Sequence, residues 1–507
     1  MNESGIDCYH LPVAALGELT TQAVGKLTPV LTPQNDIVPY TARDSFDQAL
    51  RRSGRMLLQT GTCAKLLRAD GFITEQPGKN EIQFIADFPK GPVKHALADC
   101  SPLRRLLSIG SGEMQQAVLA LMDDEGKTHC RACLTFLTTT KGRSAALAAL
   151  QGIKGYDASL DALREHIQKL GGTAFSSGAL YGQLFPTRSA YAAKPDILIA
   201  SDTTAFEAAN TFISAYIPLA RANVPGIIAD HDTEFLHDYR IQLRKIRSVL
   251  SLFKGVYDAR QAASLKAQFA ALMAPTGRLR DLDVHLLEKQ VYYDLAPHTL
   301  HKGLDALYGM FAEHRQTEQL KLARHLRSSG HKQAMAGLAA SFARPGVLKQ
   351  GPNADLPAQA YARKLIWKRY RKVCKTAAAI GPDTDDADVH ALRIHCKKLR
   401  YLMELFGPVF PPAAFKKLLK ALKGLQNNLG RFNDYSVHQA SLQAILLEWP
   451  QAQSPHSLEI AQSLGALIGA LHNRQLQERA KIMKNFARFN SPAIQQTFSA
   501  LFQAPKA

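Results

Sequence analysis

"LHDYRIQLRKIRSVLSLF" fills residues 236–253 and "VHALRIHCKKLRYLMELF" fills residues 389–406. The two stretches keep His, Arg, Ile, Lys, Arg, Leu and Phe at the same places, 153 residues apart. A second pair of blocks repeats the offset: "GRLRDLDVH" runs from Gly277 to His285 and "GRFNDYSVH" from Gly430 to His438. Two separate blocks in one register argue for duplication of a structural unit.

Each long stretch reads as an amphipathic helix. At about 100° per residue, with His237 at zero, Arg240, Arg244 and Arg247 fall near 300°, 340° and 280°. Ile246, Val249, Leu250 and Phe253 occupy the opposite side. The second copy sets His390, Arg393, Lys397 and Arg400 against Leu399, Leu402, Met403 and Phe406. Lys245 and Lys398 lie on the flank of the stripe.

Like charges three and four residues apart repel, and these stripes contain no interleaved carboxylate to relieve them. Phosphate oxygens would relieve them, since Arg forks to two oxygens, Lys adds a mobile point charge and His donates from either nitrogen. Each stripe spans roughly 15 Å, which suits a linear polyanion. The histidines also admit a structural reading, as residues that bridge helices. Asp281 and Asp434 recur inside the basic field, where orienting an Arg or His suits them better than catalysis.

Charge is unevenly spread along the 507 residues: of the net +19, residues 1–200 carry +2 and residues 201–507 carry +17. The basic part therefore calls for a polyanionic partner. Nucleic acid competes for that role. Single-strand binders interleave aromatics with cations, however, whereas Phe253 and Phe406 fall on the core side of these helices. No helix-turn-helix, zinc-finger or RNP signature is present.

The chain contains no apolar run of 18 residues, so no transmembrane helix is expected. Its first residues have neither the basic nor the apolar segment of a secretory signal. Seven scattered cysteines suit a reducing cytoplasm. Cys130 and Cys133 form a lone CxxC whose members would face opposite sides of a strand, which weakens a redox or zinc reading. No metal site is indicated, because neither copy has a His-x-x-x-His pair or a carboxylate cluster.

Residues 7–171 read as mixed α/β. "EIQFIADF" (81–88), "QAVLALMDD" (116–124) and "HCRACLTFL" (129–137) look like strands, and "SFDQALRRSG" (45–54) and "ASLDALREHIQKLGG" (158–172) look like helices. Residues 172–200 have the Gly, Ser and Pro content of a linker. From residue 201 onward, helical periodicity dominates, with proline-containing breaks such as "APTG" at 274–277 and the segment 343–357.

The repeated motifs, with "LKGLQNNLGRFNDYSVH" extending the second, resemble the CHAD family, the conserved histidine α-helical domain. The resemblance covers residues 201–505. It implies a pseudo-symmetric pair of four-helix bundles, all-α, with a first half at 201–345 and a second at 355–507. It also implies a basic groove that binds inorganic polyphosphate. Carried over by motif position, the binding candidates of the first half are His237, Arg240, Arg244, Lys245, Arg247, Arg278, Arg280 and His285. Those of the second are His390, Arg393, Lys397, Lys398, Arg400, Arg431 and His438. Asn433 stands where the first copy has Arg280, so the halves need not bind equally. "WKRYRK" (367–372) is a further candidate surface.

Residues 1–171 resemble the CYTH, or triphosphate-tunnel, fold, an α+β domain often fused to CHAD. The pieces that carry this are "DSFDQALRRSGRMLLQTGTCAKLLRADG", "FIADFPKGPVKHAL", "LMDDEGKTHCRACLTFL" and "LQGIKGYDASLDALREHI". Hydrolases of that family open on an ExExK strand whose carboxylates help hold a metal. The corresponding strand here, "CYHLPV" (8–13), has no acid, and Thr135 stands where an acid is often found. Lys65, Arg68 and Arg131 remain as phosphate contacts.

The sequence thus leads to a cytoplasmic, non-enzymatic polyphosphate-binding protein with no catalytic residue, metal or cofactor. Its expected associates are polyphosphate granules and polyphosphate-metabolising enzymes. A metal-dependent triphosphatase or polyphosphatase and an RNA- or DNA-binding module are the alternatives.

Overall fold

A computed structural model describes residues 8–503 except 35, 62, 69, 72, 79–81, 187–190, 201, 345, 382 and 449–455. The chain divides into two compact units, Met1–Ala193 and Lys194–Ala507.

The first unit is built on one antiparallel sheet. Its strands are β1 (Cys8–Leu11), β2 (Thr28–Pro33), β3 (Val38–Asp44), β4 (Met56–Gln59) and β5 (Cys63–Leu67). They continue with β6 (Ile73–Pro77), β7 (Leu107–Met122), β8 (Thr128–Thr139), β9 (Ser144–Gly152) and β10 (Thr173–Ala174). The spatial order is β10-β1-β9-β8-β7-β3-β4-β5-β6, and β2 pairs with the far end of β7. Five helices accompany it: α1 (Leu16–Thr21), α2 (Ala49–Arg52), α3 (Pro92–Ala96), α4 (Asp157–Lys169) and α5 (Ser177–Leu184).

The β7–β8 hairpin turns on Asp123, whose Oδ1 accepts the backbone N–H groups of Glu125 and Lys127 at 3.1 and 2.9 Å. Gly126 supplies the left-handed residue of that turn, at φ 79°. Strand alternation then sends Cys130, Ala132 and Leu134 into a core shared with Leu163 and Ile167 of α4. Cys133, of opposite parity to Cys130, is only half-buried.

Two local expectations are corrected. Over its described residues, 82–88, "EIQFIADF" is not a strand: the Asp87 carboxylate accepts the N–H groups of Gln83 and Phe84 at 3.1 and 2.8 Å, and Ile85–Asp87 coil into a 3-10 turn. Such local side-chain bonding competes with a ladder. In "SFDQALRRSG" the helix is confined to Ala49–Arg52, bounded by left-handed Gln48 and Gly54. Within the Gly- and Ser-rich stretch that begins at residue 172, Leu180, Tyr181, Leu184 and Phe185 belong to the sheet's second core.

The second unit is all-helical. It runs through α6 (Ala205–Ile228), α7 (Thr233–Leu252), α8 (Ala259–Met273), α9 (Gly277–Leu287), α10 (Lys289–Leu295), α11 (His301–Arg327) and α12 (Ser329–Ala343). The remaining helices are α13 (Ala358–Ala378), α14 (Asp386–Phe406), α15 (Pro412–Glu448), α16 (Ser457–Ala480), α17 (Ile482–Phe489) and α18 (Pro492–Phe502).

The 153-residue offset governs the element boundaries too. It carries the start of α6 onto that of α13, the start of α8 onto that of α15, and the end of α10 onto the end of α15. One copy therefore uses three α-helices where the other uses a single one. Pro275 explains the first interruption, because it lacks an N–H and clashes with the preceding turn. Its counterpart, Asn428, lets α15 continue, and its side chain donates to the Glu478 carboxylate and backbone carbonyl at 2.8 Å.

Among the described residues, three touch their own counterparts. Thr204 and Pro357 form an antiparallel bridge, flanked by Ala205 N–H to Leu356 O at 2.8 Å and Ala358 N–H to Thr203 O at 2.9 Å. Phe253 stacks on Phe406, and the His285 and His438 rings lie 5.8 Å apart. The paired backbone hydrogen bonds exchange when the copies are exchanged, which is the signature of a two-fold relation. The pseudo-two-fold axis passes through all three contacts.

Candidate polyanion-binding face

Helix α7 starts cleanly because the Asp232 carboxylate accepts the N–H groups of Glu234 and Phe235. Phe235 lies directly over Gly226 of α6, where any Cβ would collide with its ring. This close approach buries Leu243, Ile246, Val249 and Leu250 and turns the arginine stripe outward. In α14, burial of Leu392, Cys396, Leu399 and Met403 does the same for Arg393, Lys397 and Arg400.

In the first copy α7 meets the start of α9. Arg240 donates from Nη1 to Thr276 Oγ1 at 2.5 Å. Burial depresses its pKa, helped by the neighbouring Arg244 and Arg280 guanidinium groups and opposed by Asp281. Asp281 in turn is raised by burial and pulled back by Arg240, Arg278 and Arg280. Three arginines thus surround one carboxylate. Arg247 lies farther along, with Nη1 4.0 Å from Met273 Sδ.

The second copy repeats the plan with fewer cations. Arg393 Nη2 is 3.7 Å from Asp434 Oδ1, matching Arg240 and Asp281. Exposed His390 shares a 2.6 Å hydrogen bond with Asn433, which occupies the place of Arg280. Arg400 is held along the helix by Glu404 through a 2.6 Å contact.

The two stripes meet at Arg244 and Lys397, which are themselves counterparts. Burial pushes the Lys397 ammonium down to about 8, with Arg393 and then Arg244 of the other copy adding to the shift and Asp434 opposing it. Two guanidinium donors in this region, Arg280 Nη1 and Arg393 Nε, are buried without a hydrogen-bond partner.

Other candidates lie elsewhere. Lys245 packs 4.8 Å over the Tyr216 ring of α6, and Lys398 feels Arg369 and Lys254. Arg431 is exposed and faces Glu478 of α16 at 4.0 Å. His237 is half-buried on α7.

His285 and His438 are buried where the copies join. His285 Nε2 bonds Ser441 Oγ at 3.0 Å and its ring stacks on Phe311. Burial, with His438 and Arg278 adding to it, pushes its pKa down to about 4. His438 Nδ1 meets the Tyr292 hydroxyl at 2.9 Å. Periodicity placed the two histidines on helices but gave no sign that another copy would cover them.

Helix α13 is more extensively basic than its central motif suggests. "WKRYRK" is the middle of a longer basic face carrying Arg363, Lys364, Lys368, Arg371, Lys372 and Lys375, all exposed. The signal was available, since α13 contains seven cations and no acid.

In the sheet unit, Lys65 is buried and donates to Glu75 and, at 2.7 Å, to Gln116. Arg68 pairs with Asp70 at 2.7 Å, and Arg131 is exposed on β8. Among the described residues no group of three or more His, Cys, Asp or Glu is placed to hold a metal ion. Among the same residues no helix is long and apolar enough to cross a membrane.

Residues 212–443 match the family model of the CHAD domain, and the helical unit therefore contains a CHAD domain. Among solved structures, the chain is similar to the CHAD domain from the plant Ricinus communis. That likeness has 25% identity over 62% of this chain and 96% of the other, with a TM-score of 0.46. It is also similar to PptA from Streptomyces chartreusis, with 15% identity over 55% and 98% of the two chains and a TM-score of 0.43. No curated protein matches.

Proposed function

We propose that the helical unit binds inorganic polyphosphate across the outward faces of α7, α9 and α14, without chemical turnover. The observation that carries this reading is the convergence of Arg244 and Lys397, one from each copy, where burial first, and then the Arg393 and Arg244 charges, bring the lysine down to about 8. A closely spaced polyanion relieves the repulsion among these cations. The presence of a CHAD domain, a family linked to polyphosphate, supports the same ligand.

In this reading Arg240, Arg244, Arg278, Arg280, Arg393, Lys397 and Arg400 contact phosphate, and His237 and His390 border them. His285 and His438 hold the copies together. Lys245, Lys398 and Arg431 stand off the shared face. A chain with this ligand is expected in the cytoplasm, at polyphosphate granules or beside polyphosphate-metabolising enzymes. Lys65, one of the sheet unit's phosphate candidates, is already engaged by Glu75 and Gln116.

The test is titration of the full chain with long-chain polyphosphate in the presence of excess single-stranded DNA. Tight binding that is lost in the Arg244→Glu/Lys397→Glu variant upholds the reading. Binding unchanged by that variant refutes it. Phosphate release in the presence of magnesium or manganese would make the protein a triphosphatase or polyphosphatase instead.

A further inference from the structure

Helix α13 carries a second cationic surface that the duplication does not explain. Its inner side, with Tyr361, Ile366, Tyr370 and Val373, is buried at helical spacing. Its outer side presents Lys364, Lys368, Arg371 and Lys375 over twelve residues, roughly 16 Å of helix. These four form no ion pair among the described residues. Counting back 153 positions gives Thr211, Ala215, Pro218 and Ala222 on α6, none of them charged. A ligand recognised equally by both copies therefore cannot be the reason for this face.

The second difference is an aromatic ring. An open groove of about 980 Å³ is lined by α13 residues together with Phe502 and Gln503. Trp367 lines it among the cations, and its ring is set against Tyr370, with centroids 5.6 Å apart and planes 34° apart. The α7 stripe contains no aromatic residue, and the α14 stripe has only the phenol of Tyr401 at its border, beside Arg393, with no indole. Cations spaced along a track with a tryptophan face between them match what a single strand offers, phosphates at intervals and bases that stack. Polyphosphate has nothing to place against an indole.

We propose that the outer face of α13 binds single-stranded nucleic acid, with Lys364, Lys368, Arg371 and Lys375 on the phosphates and Trp367 stacked on a base. This site is separate from the Arg244–Lys397 face and takes a ligand of different chemistry. Cation–π attraction and stacking give it little sequence preference, and its affinity falls with salt.

The chain's other tryptophan is Trp449, so a full-length Trp449→Phe variant reports on Trp367 alone. Titration with oligouridylate is expected to quench that emission to saturation. Binding measured by anisotropy of a labelled oligonucleotide should weaken about tenfold or more in Trp367→Ala, and largely survive in Trp367→Phe. Lys368→Glu/Arg371→Glu should abolish it, with the circular dichroism spectrum confirming an intact fold. Arg244→Glu/Lys397→Glu should leave it unchanged, which keeps this outcome distinct from that of the polyphosphate reading. Absence of quenching, or indifference to Trp367→Ala, overturns the proposal. So does quenching by polyphosphate alone or by phosphatidylserine vesicles alone, which would make the face a polyphosphate or membrane surface.

Discussion

Phe253 and Phe406 stack with ring centroids 4.9 Å apart and planes 10° from parallel, and they are the same residue of the two copies. Phe212 stands edge-on to both, at 6.1 and 5.9 Å. The residue that ends each repeated helix therefore also joins the repeats. An aromatic cluster at the axis couples the copies, so that displacing one helix displaces its counterpart.

Phe406→Ala should cost about 3–5 kcal/mol of stability in chemical denaturation, as expected for a fully buried phenyl ring. A double-mutant cycle with Phe253→Ala should return a coupling of about 0.5–1.5 kcal/mol for the stacked pair. Additive losses would mean that the rings share a core without supporting each other.

His285 predicts how stability depends on pH. Its folded pKa is depressed from 6.5 to about 4, so between those values the unfolded chain holds more protons. Stability should rise with pH through this window and be lost as pH falls from 6.5 to 4. The ring is buried, and its share is roughly 3 kcal/mol. Urea denaturation at several pH values should show a flatter acid limb in His285→Gln, whatever its effect at neutral pH. Polyphosphate affinity at pH 7.5 should change little in that variant.

What could be read from sequence followed from repetition and period. A fixed offset exposed the duplication because it preserves residue identities. The 3.6-residue period then separated Arg240, Arg244 and Arg393 from the leucines behind them. Two kinds of information were beyond that reach. The long-range packing that puts His285 against His438, or Lys245 over Tyr216, has no local signature. Short elements are decided by single contacts, as when the Asp87 carboxylate converts an apolar run into a 3-10 turn.

Salt titration should separate residues on the shared face from those off it. If counterion release drives polyphosphate binding, the logarithm of affinity falls linearly with the logarithm of salt concentration. Arg244→Gln and Lys397→Gln should each reduce the magnitude of that slope by a little under one. Lys245→Gln should leave it unchanged, because that ammonium is spent on the Tyr216 ring. A common reduction in all three variants would point to a diffuse basic surface in place of a defined one.

Lys397 gives binding a pH dependence of its own. With a pKa of about 8 in the free protein, it is mostly charged at pH 7 and mostly neutral at pH 9. A polyanion favours the charged form, so it raises the pKa and draws in a proton. Affinity for polyphosphate should therefore fall as pH rises through 8. Calorimetry near pH 8 in buffers of different ionisation enthalpy should register net proton uptake on binding. Folding has its own consequence: because the folded pKa lies below 10.5, stability should rise with pH between about 8 and 10.5. Lys397→Arg, charged throughout this range, should bind with no fall in affinity between pH 7 and 9. A wild-type affinity that is flat over the same interval would place Lys397 away from the phosphate chain and leave the arginines of the two copies to bind it.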